Sequence, residues 1–469
     1  SSDLAFLNFS YQGPIKTNDD SQGNSTEQVS GSGIVLSSQQ SFYPDSEQTP
    51  FFQFKLKTKT PQNWKTVSQG NKISETVKDK LRITVWETDN PMESIYLIAD
   101  QFHEYKKTVD GKTYYAFLRE EEKELADKYL NATQTYIHFY QKLLPLYPFK
   151  KFALVENSFQ TGYGMPSFTL LGSKIIRFPF ILHTSYPHEI LHNWWGNGVY
   201  ISPKSGNWAE GLTSYLSDHL LSELKGKAER YRFRELTKYL NYVDKNSDFP
   251  LSEFSYRQDM ASQAIGYGKM LMVFHMLRNK IGNSAFIESL QNFYSTNQFQ
   301  YAGFEELITS FETTTGKDLT LFWTQWTTRK GAPKLVLKSA KQSVSGLTHI
   351  INLETAQAQT EEPFQFELPV GIWYYPQKNK EPLFKIQRIP LTKRQEMTTL
   401  KIPSKAGKIL VDPYNDVFRK LDRYEVPPSI GQTFGAKNAK VYLPSNNVGL
   451  YTNIAQAFAN NPESILTAK

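Results

Sequence analysis

His188, Glu189 and His192 stand in the order His-Glu-Ile-Leu-His. On an α-helix residues four apart share a face, so both imidazoles can turn a nitrogen toward one ion while Glu189 lies beside them. A catalytic zinc site needs three protein ligands and a place for water, so a third ligand must come from another element. Glu210, in Asn207-Trp208-Ala209-Glu210-Gly211-Leu212, opens a second helical pattern and is the natural candidate. Zinc brings the pKa of such a water to roughly 7; Glu189 is then the base that takes its proton and returns it to a leaving amine. These residue types predict metal-assisted amide hydrolysis of a peptide substrate, with one zinc ion per chain. The developing oxyanion calls for a neutral hydrogen-bond donor nearby, a role that suits a tyrosine.

A bare His-Glu-x-x-His run also arises by chance in helices. Here the downstream Glu210 and the tail Asn193-Trp194-Trp195-Gly196-Asn197 favour the metal reading. His103, His138, His183, His219, His275 and His349 read as surface or packing groups. For His219 and its neighbour Asp218, about two turns beyond Glu210, support of that ligand from behind is the alternative.

The elements that position these groups belong to a long chain. With 469 residues, one hydrophobic core is not enough, and about two to four domains are expected. Apolar, aromatic and charged fractions of 39%, 14% and 21% describe a folded chain. The 53 basic residues exceed the 46 acidic ones without forming long basic runs, so a nucleic-acid partner is not expected. The absence of cysteine excludes disulfides, thiolate zinc ligands and a cysteine nucleophile. No run of about 18 apolar residues suggests a transmembrane segment. The start at Ser1 reads as a processed or engineered terminus, and an exported protein, periplasmic or secreted, is favoured over a cytoplasmic one.

From Ser1 to about Phe102 the sequence reads as strands: Leu4 to Tyr11, Gly33 to Leu36, Phe51 to Lys57, Leu81 to Glu87 and Ser94 to Ala99. A helix follows, with Leu125, Tyr129, Ala132, Tyr136, Tyr140 and Leu143 as its apolar stripe, then a short strand from Phe152 to Val155. Residues 184–329 are mainly helical, with candidates around His188, from Glu210 to Leu224 and from Ser262 to Lys280. Beyond Gly331-Ala332-Pro333 the pattern returns to strands: Leu335 to Leu337, His349 to Leu353, Phe364 to Tyr375 and Lys408 to Val411. A strand from Lys440 to Leu443 and an amphipathic helix from Tyr451 to Ala459 close the chain.

At His188-Glu-Ile-Leu-His192-Asn-Trp-Trp-Gly-Asn197 the sequence resembles the gluzincin alanyl aminopeptidase family, which includes the leukotriene hydrolase, and its HELAHQWFGN segment. Trp208-Ala209-Glu210-Gly211 is similar to the family's WxNEG segment, with Ala209 at the Asn. Tyr267-Gly268-Lys269-Met270 resembles the YxKG segment, which implies that Tyr267 is the oxyanion donor. Tyr43-Pro44-Asp45, Thr60-Pro61 and Leu321-Phe322-Trp323 to Trp326 look like further landmarks. The resemblance implies an α+β multidomain fold. Its expected parts are an N-terminal β domain (1–104, incomplete by family standards), a thermolysin-like, mainly α catalytic domain (105–330), a β-sandwich (331–424) and the start of a further α/β segment (425–469).

Two departures stand out. Between His192 and Glu210 lie 17 residues, one fewer than is usual in the family, a difference that Ser202 to Gly206 can absorb. The family's GxMEN segment, whose Glu grips the substrate's free amine, reads Tyr163-Gly164-Met165-Pro166-Ser167 here. Proline neither accepts hydrogen bonds from an ammonium nor offsets its charge. Glu156 is the candidate carboxylate from another direction, with a strand-end surface role as its alternative. Gly162, Gly164 and Met165 are candidates for letting a substrate backbone approach an edge strand. Aminopeptidase action is the leading expectation. An endopeptidase-like or non-peptide zinc hydrolase, and a noncatalytic scaffold retaining the fold, are the alternatives.

Overall fold

The computed structural model describes residues 10, 12–13, 28–30, 33–44, 50–158, 162–346, 348–376, 381–428, 440–446, 448–459 and 464–467. Apart from Ser10, the expected strand from Leu4 to Tyr11 lies outside them. The chain forms two compact units, Ser1–Val199 with Gln298–Gln300, and Tyr200–Asn297 with Tyr301–Lys469.

The first unit carries three sheets. β1 (Gln28–Ser30), β2 (Gly33–Leu36), β7 (Leu97–Asp100) and β4 (Lys65–Val67) form one; β3 (Lys55–Pro61), β6 (Leu81–Glu87) and β5 (Asn71–Lys78) form another. The third, in the order β11-β12-β10-β9-β8, carries the site. Its strands are β8 (His103–Val109), β9 (Lys112–Leu118), β10 (Lys151–Asn157), β11 (Gly162–Met165) and β12 (Phe168–Gly172). β10 runs parallel to both neighbours and every residue in it is buried, as a strand covered on both faces requires. Its Val155 joins Trp86, Phe117, Phe168 and Leu170 in the core. The β8–β9 hairpin, absent from the sequence reading, turns on Asp110-Gly111, with φ of 49° and 72°. Asp-Gly tolerates the two left-handed positions of a two-residue hairpin.

Helix α1 (Lys123–Tyr140) packs on this hairpin through Ala126, Tyr129, Leu130, Thr133, Ile137 and Tyr140. That stripe is rotated from the expected one, with Leu125 and Ala132 only half-buried. Helix α2 (Ser185–Leu191) follows and packs against α1 and β11.

The second unit begins with helices. α3 (Ala209–Ser214) continues through a π-helical turn, Tyr215–His219, into α4 (Leu220–Glu223). After α5 (Ala228–Tyr242), α6 (Met260–Gln263) likewise passes through a π-helical turn, Ala264–Lys269, into α7 (Met270–Ile281). α8 (Asn283–Asn297), α9 (Phe304–Thr315) and α10 (Thr320–Thr327) complete the helical layer. Here β13 (Tyr200–Ile201) pairs with β14 (Tyr301–Ala302).

Two three-stranded antiparallel sheets follow. One is β15 (Leu335–Ser345), β16 (Thr348–Gln357) and β19 (Gln395–Ile402); the other is β18 (Leu383–Leu391), β17 (Phe366–Tyr374) and β20 (Ala406–Val411). Leu353, Leu368, Val370, Ile372, Ile389, Leu391 and Leu400 fill the space between them, the inward half of an alternating pattern. β21 (Val441–Leu443), α11 (Val448–Phe458) and β22 (Ile465–Thr467) come last. Among the described residues no helix is long and apolar enough to cross a membrane. The whole is an α+β multidomain fold, as the sequence led us to expect.

Candidate active site

Helix α2 is seven residues long, too short to hold its shape alone, and neighbours fix it. Tyr186, Ile190 and Leu191 are fully buried, and the Tyr186 ring meets Tyr129 of α1 edge-on at 4.7 Å. Glu189 is buried; His188 and His192 are half-buried. His192 Nδ1 lies 2.9 Å from the carbonyl oxygen of Trp195, which can only accept, so the proton sits on Nδ1 and the Nε2 lone pair faces inward. There it lies 3.2 Å from Nε2 of His188.

Strand β11 passes directly over this turn. A methyl group at Gly162 would lie 3.1 Å from Oε1 of Glu189; one at Gly164 would lie 3.0 Å from Oε2 and 2.8 Å from Cβ of His192. Only glycine lets the backbone come this close without moving the carboxylate. Two asparagines of the tail after His192 hold the strand in place. Asn193 Oδ1 accepts from Ser167 N at 2.8 Å, and Asn197 Nδ2 donates to the Gly164 carbonyl at 3.1 Å. The asparagines of this tail are the part that aligns strand with helix.

Pro166 and Ser167 form the two-residue turn between β11 and β12, in which Met165 pairs with Phe168. Ser167 has φ of 67°, and proline followed by a left-handed residue is the type II turn pattern. Pro166 is buried in this turn. Met165 packs against the sheet's core. Glu156 is only 1% exposed, which overturns its surface alternative, and its oxygens accept from Arg119 N at 2.7 Å and from Arg177 Nη1 at 2.8 Å.

In the second unit Glu210 sits in the first turn of α3. Asn207 caps that turn, its Oδ1 accepting from Ala209 N at 3.1 Å and Glu210 N at 3.4 Å. Asn207 is itself anchored, its N donating to Phe254 O at 2.6 Å and its Nδ2 to Ser255 O at 2.9 Å. The Phe254 ring packs at 6.0 Å on Tyr267 and lies where any side chain at residue 266 would be, 2.2 Å from a Cβ built on Gly266. Phe254 thus positions both the Glu210 turn and Tyr267. The sequence placed Tyr267 on an ordinary helix, whereas it lies in the π-helical turn, a distortion frequent at functional sites.

Behind α3, His219 and His275 are packing groups in a buried polar network. Nη1 of Arg232 lies 2.8 Å from Nε2 of His219, and Nε2 of His275 lies 3.0 Å from Oδ1 of Asp416. Burial, then His275, Arg232 and Arg278, push His219 down to about 2. Burial also lowers His275, against the pull of Asp416. Lys269, wholly buried and donating to Arg329 O at 2.7 Å, is pushed down to about 8 by burial, with Asp248 opposing and Arg329 adding.

Among the described residues the group of side chains able to hold a metal is His188, His192 and Glu210, whose donor atoms all lie within 4.8 Å of one another. Tetrahedral zinc with bonds of about 2.0–2.2 Å separates its ligands by roughly 3.3 Å, and the two histidine nitrogens stand 3.2 Å apart. Two nitrogens and a carboxylate form a donor set suited to zinc, so the residues present fit the ion.

The structure resembles that of aminopeptidase A from Legionella pneumophila, in complex with aspartic acid, with a TM-score of 0.65 at 15% identity over 82% of this chain and 46% of that one. Residues 183–326 match the Peptidase family M1 domain. Two proteins of Saccharomyces cerevisiae are similar in sequence. The alanine/arginine aminopeptidase is 26% identical over 182 residues, 37% of this chain and 21% of that protein. The mitochondrial aminopeptidase 2 is 24% identical over 315 residues, 62% of this chain and 33% of that protein. The match therefore spans a third or less of these relatives' length. Over residues 183–326 the chain is therefore similar to M1 peptidase domains, and over a longer stretch to aminopeptidases.

Proposed function

We propose that this protein is a zinc-dependent peptidase that removes residues from the N-terminus of peptides. The observation that carries the reading is the grouping of two histidine nitrogens and the Glu210 carboxylate within 4.8 Å, beside a buried Glu189 that belongs to the same helical turn as both histidines. When bound, zinc supplies the Lewis acidity that makes water nucleophilic at neutral pH and polarises the scissile carbonyl.

The chain's own residues account for the rest. A peptide laid along the edge strand β11 would be brought beside Glu189, because Gly162 and Gly164 let that strand approach the carboxylate closely. Glu189 takes the water's proton and passes it to the leaving amine, and the close packing of β11 keeps its carboxylate from swinging away. Tyr267 donates a hydrogen bond to the developing oxyanion. Glu189→Gln should retain zinc and lose roughly 10²–10⁴-fold in turnover; a variant that still turned over at the normal rate would rule out this assignment.

A second reading, an endopeptidase-like enzyme, is favoured by one observation. The position expected to hold the amine-binding Glu is Pro166, and it is buried in a turn. Rates on an aminoacyl-anilide and on its N-acetylated form separate the two. The aminopeptidase reading expects at least about tenfold preference for the free amine, and equal rates would replace it with the second.

A further inference from the structure

In the second unit a cavity of about 300 Å³ opens between the end of α7, helix α10 and the outer face of β17 and β18, and none of the residues assigned to hydrolysis lines it. Strand alternation creates its far wall. Ile389 and Leu391 of β18 turn into the sandwich core, so Arg388 and Pro390 turn outward to the cavity. The near wall is locked to the strand by a reciprocal amide pair. Gln325 Nε2 donates to Gln365 O at 2.6 Å, and Gln365 N donates to Gln325 Oε1 at 2.8 Å.

The lining combines apolar surface from Met276, Phe322 and Val417 with charges of both signs, Lys280 and Arg388 against Asp318, Glu367 and Asp416. The Asp416 side chain is only 12% exposed. Its Oδ1 takes both Arg232, at 2.9 Å, and His275, at 3.0 Å. Among the described residues its Oδ2 has no hydrogen-bond partner, and the exposed Arg388 has no ion-pair partner. The backbone brings the two together. Arg388 is registered opposite Pro369, Pro369 O accepts from Asp412 N at 2.7 Å, and Asp412 Oδ1 accepts from Asp416 N at 2.7 Å.

With cations and carboxylates both in the lining, a ligand carrying a single charge leaves one set unmatched. A zwitterion with an apolar body satisfies both charges and the walls, and the volume suits a molecule of that size. We infer that this cavity binds a free α-amino acid with an apolar side chain, its ammonium on Asp416 and its carboxylate on Arg388. The inference goes beyond the peptidase reading and does not need it, although such an amino acid is the kind of product that reading would release.

The test is calorimetric titration of L-leucine, N-acetyl-L-leucine and L-leucinamide into the full chain, zinc-loaded as wild type, Arg388→Ala and Asp416→Asn and zinc-free as Glu210→Ala. Binding of L-leucine should weaken at least about tenfold in Arg388→Ala, and both blocked analogues should bind at least tenfold more weakly than L-leucine to the wild type. Glu210→Ala should leave L-leucine binding unchanged. Arg388 is exposed on a strand, so its variant should keep the thermal midpoint and the peptidase rate, and the test stands even where Asp416→Asn fails to fold. Equal affinity in Arg388→Ala, loss of binding in Glu210→Ala, or no binding at millimolar L-leucine would overturn the inference. Failure of the hydrolytic reading is seen separately, in Glu189→Gln.

Discussion

Two strand glycines, Gly164 in β11 and Gly371 in β17, each lie beneath another group, but the groups differ in kind. Above Gly164 are Cβ of His192 and the carboxylate of Glu189, both on a buried helix that cannot retreat. Above Gly371 are the ring of Phe384, across the sheet, and the ring of Pro413, each 2.9 Å from a Cβ built there. The first close approach sets the position of a carboxylate; the second fills a surface of the sandwich. A small residue in a strand therefore means something different according to whether it faces chemistry or packing.

Substitution at the two positions separates these meanings. Gly164→Ala should cost the larger effect, about 100-fold in kcat/KM, because displacing a reacting group by a fraction of an ångström is that costly. Its thermal midpoint should fall too, but zinc content measured by metal analysis should persist. Unchanged kinetics in Gly164→Ala would show that β11 and Glu189 are not tightly coupled. Gly371→Ala should cost about 1–3 kcal/mol in denaturant unfolding, as overpacking does, with kcat/KM within twofold of wild type. A kinetic defect there as large as that of Gly164→Ala would erase the distinction.

A third effect concerns acid. His219 has a folded pKa of about 2 against 6.5 for the free group, and His275 is lowered as well. Below pH 6.5 the unfolded chain binds protons that the folded chain refuses, so the stability these groups confer is complete above 6.5 and is lost as pH falls toward 2. His219→Gln, which can still accept from Arg232, should flatten the fall in unfolding free energy across that window. An unaltered pH profile would assign the acid sensitivity elsewhere.

The turn proposed to be catalytic stood out in the sequence because such chemistry imposes residue types at fixed helical spacing. His188, Glu189 and His192 share one turn, and Glu210 heads the next expected helix. The strands after residue 333 were legible through their apolar or alternating pattern, as in Phe364 to Tyr375, whereas their pairing as two facing sheets was expected only from the family resemblance. The π-helical turns were not, since one extra residue in a turn leaves the composition helical; Tyr267 between Gly266 and Gly268 was the one available hint. The β8–β9 hairpin was missed despite Asp110-Gly111, because polar residues such as Lys106, Lys107 and Lys112 broke its apolar pattern. Glu156 looked like a strand-end carboxylate because nothing local announces Arg177, 21 residues away, as its partner. The asparagines at 193 and 197 were hidden for the same reason, since their partners lie on a hairpin earlier in the chain.

Phe254 has a consequence for anyone altering this protein. Its carbonyl holds the cap of the turn bearing Glu210 and its ring supports Tyr267, so the two functions share a single mechanical origin. Under the proposed mechanism, drift at this one ordinary-looking phenylalanine would degrade metal retention and transition-state support in step. A library that varied it would recover few intermediates that keep one capacity without the other.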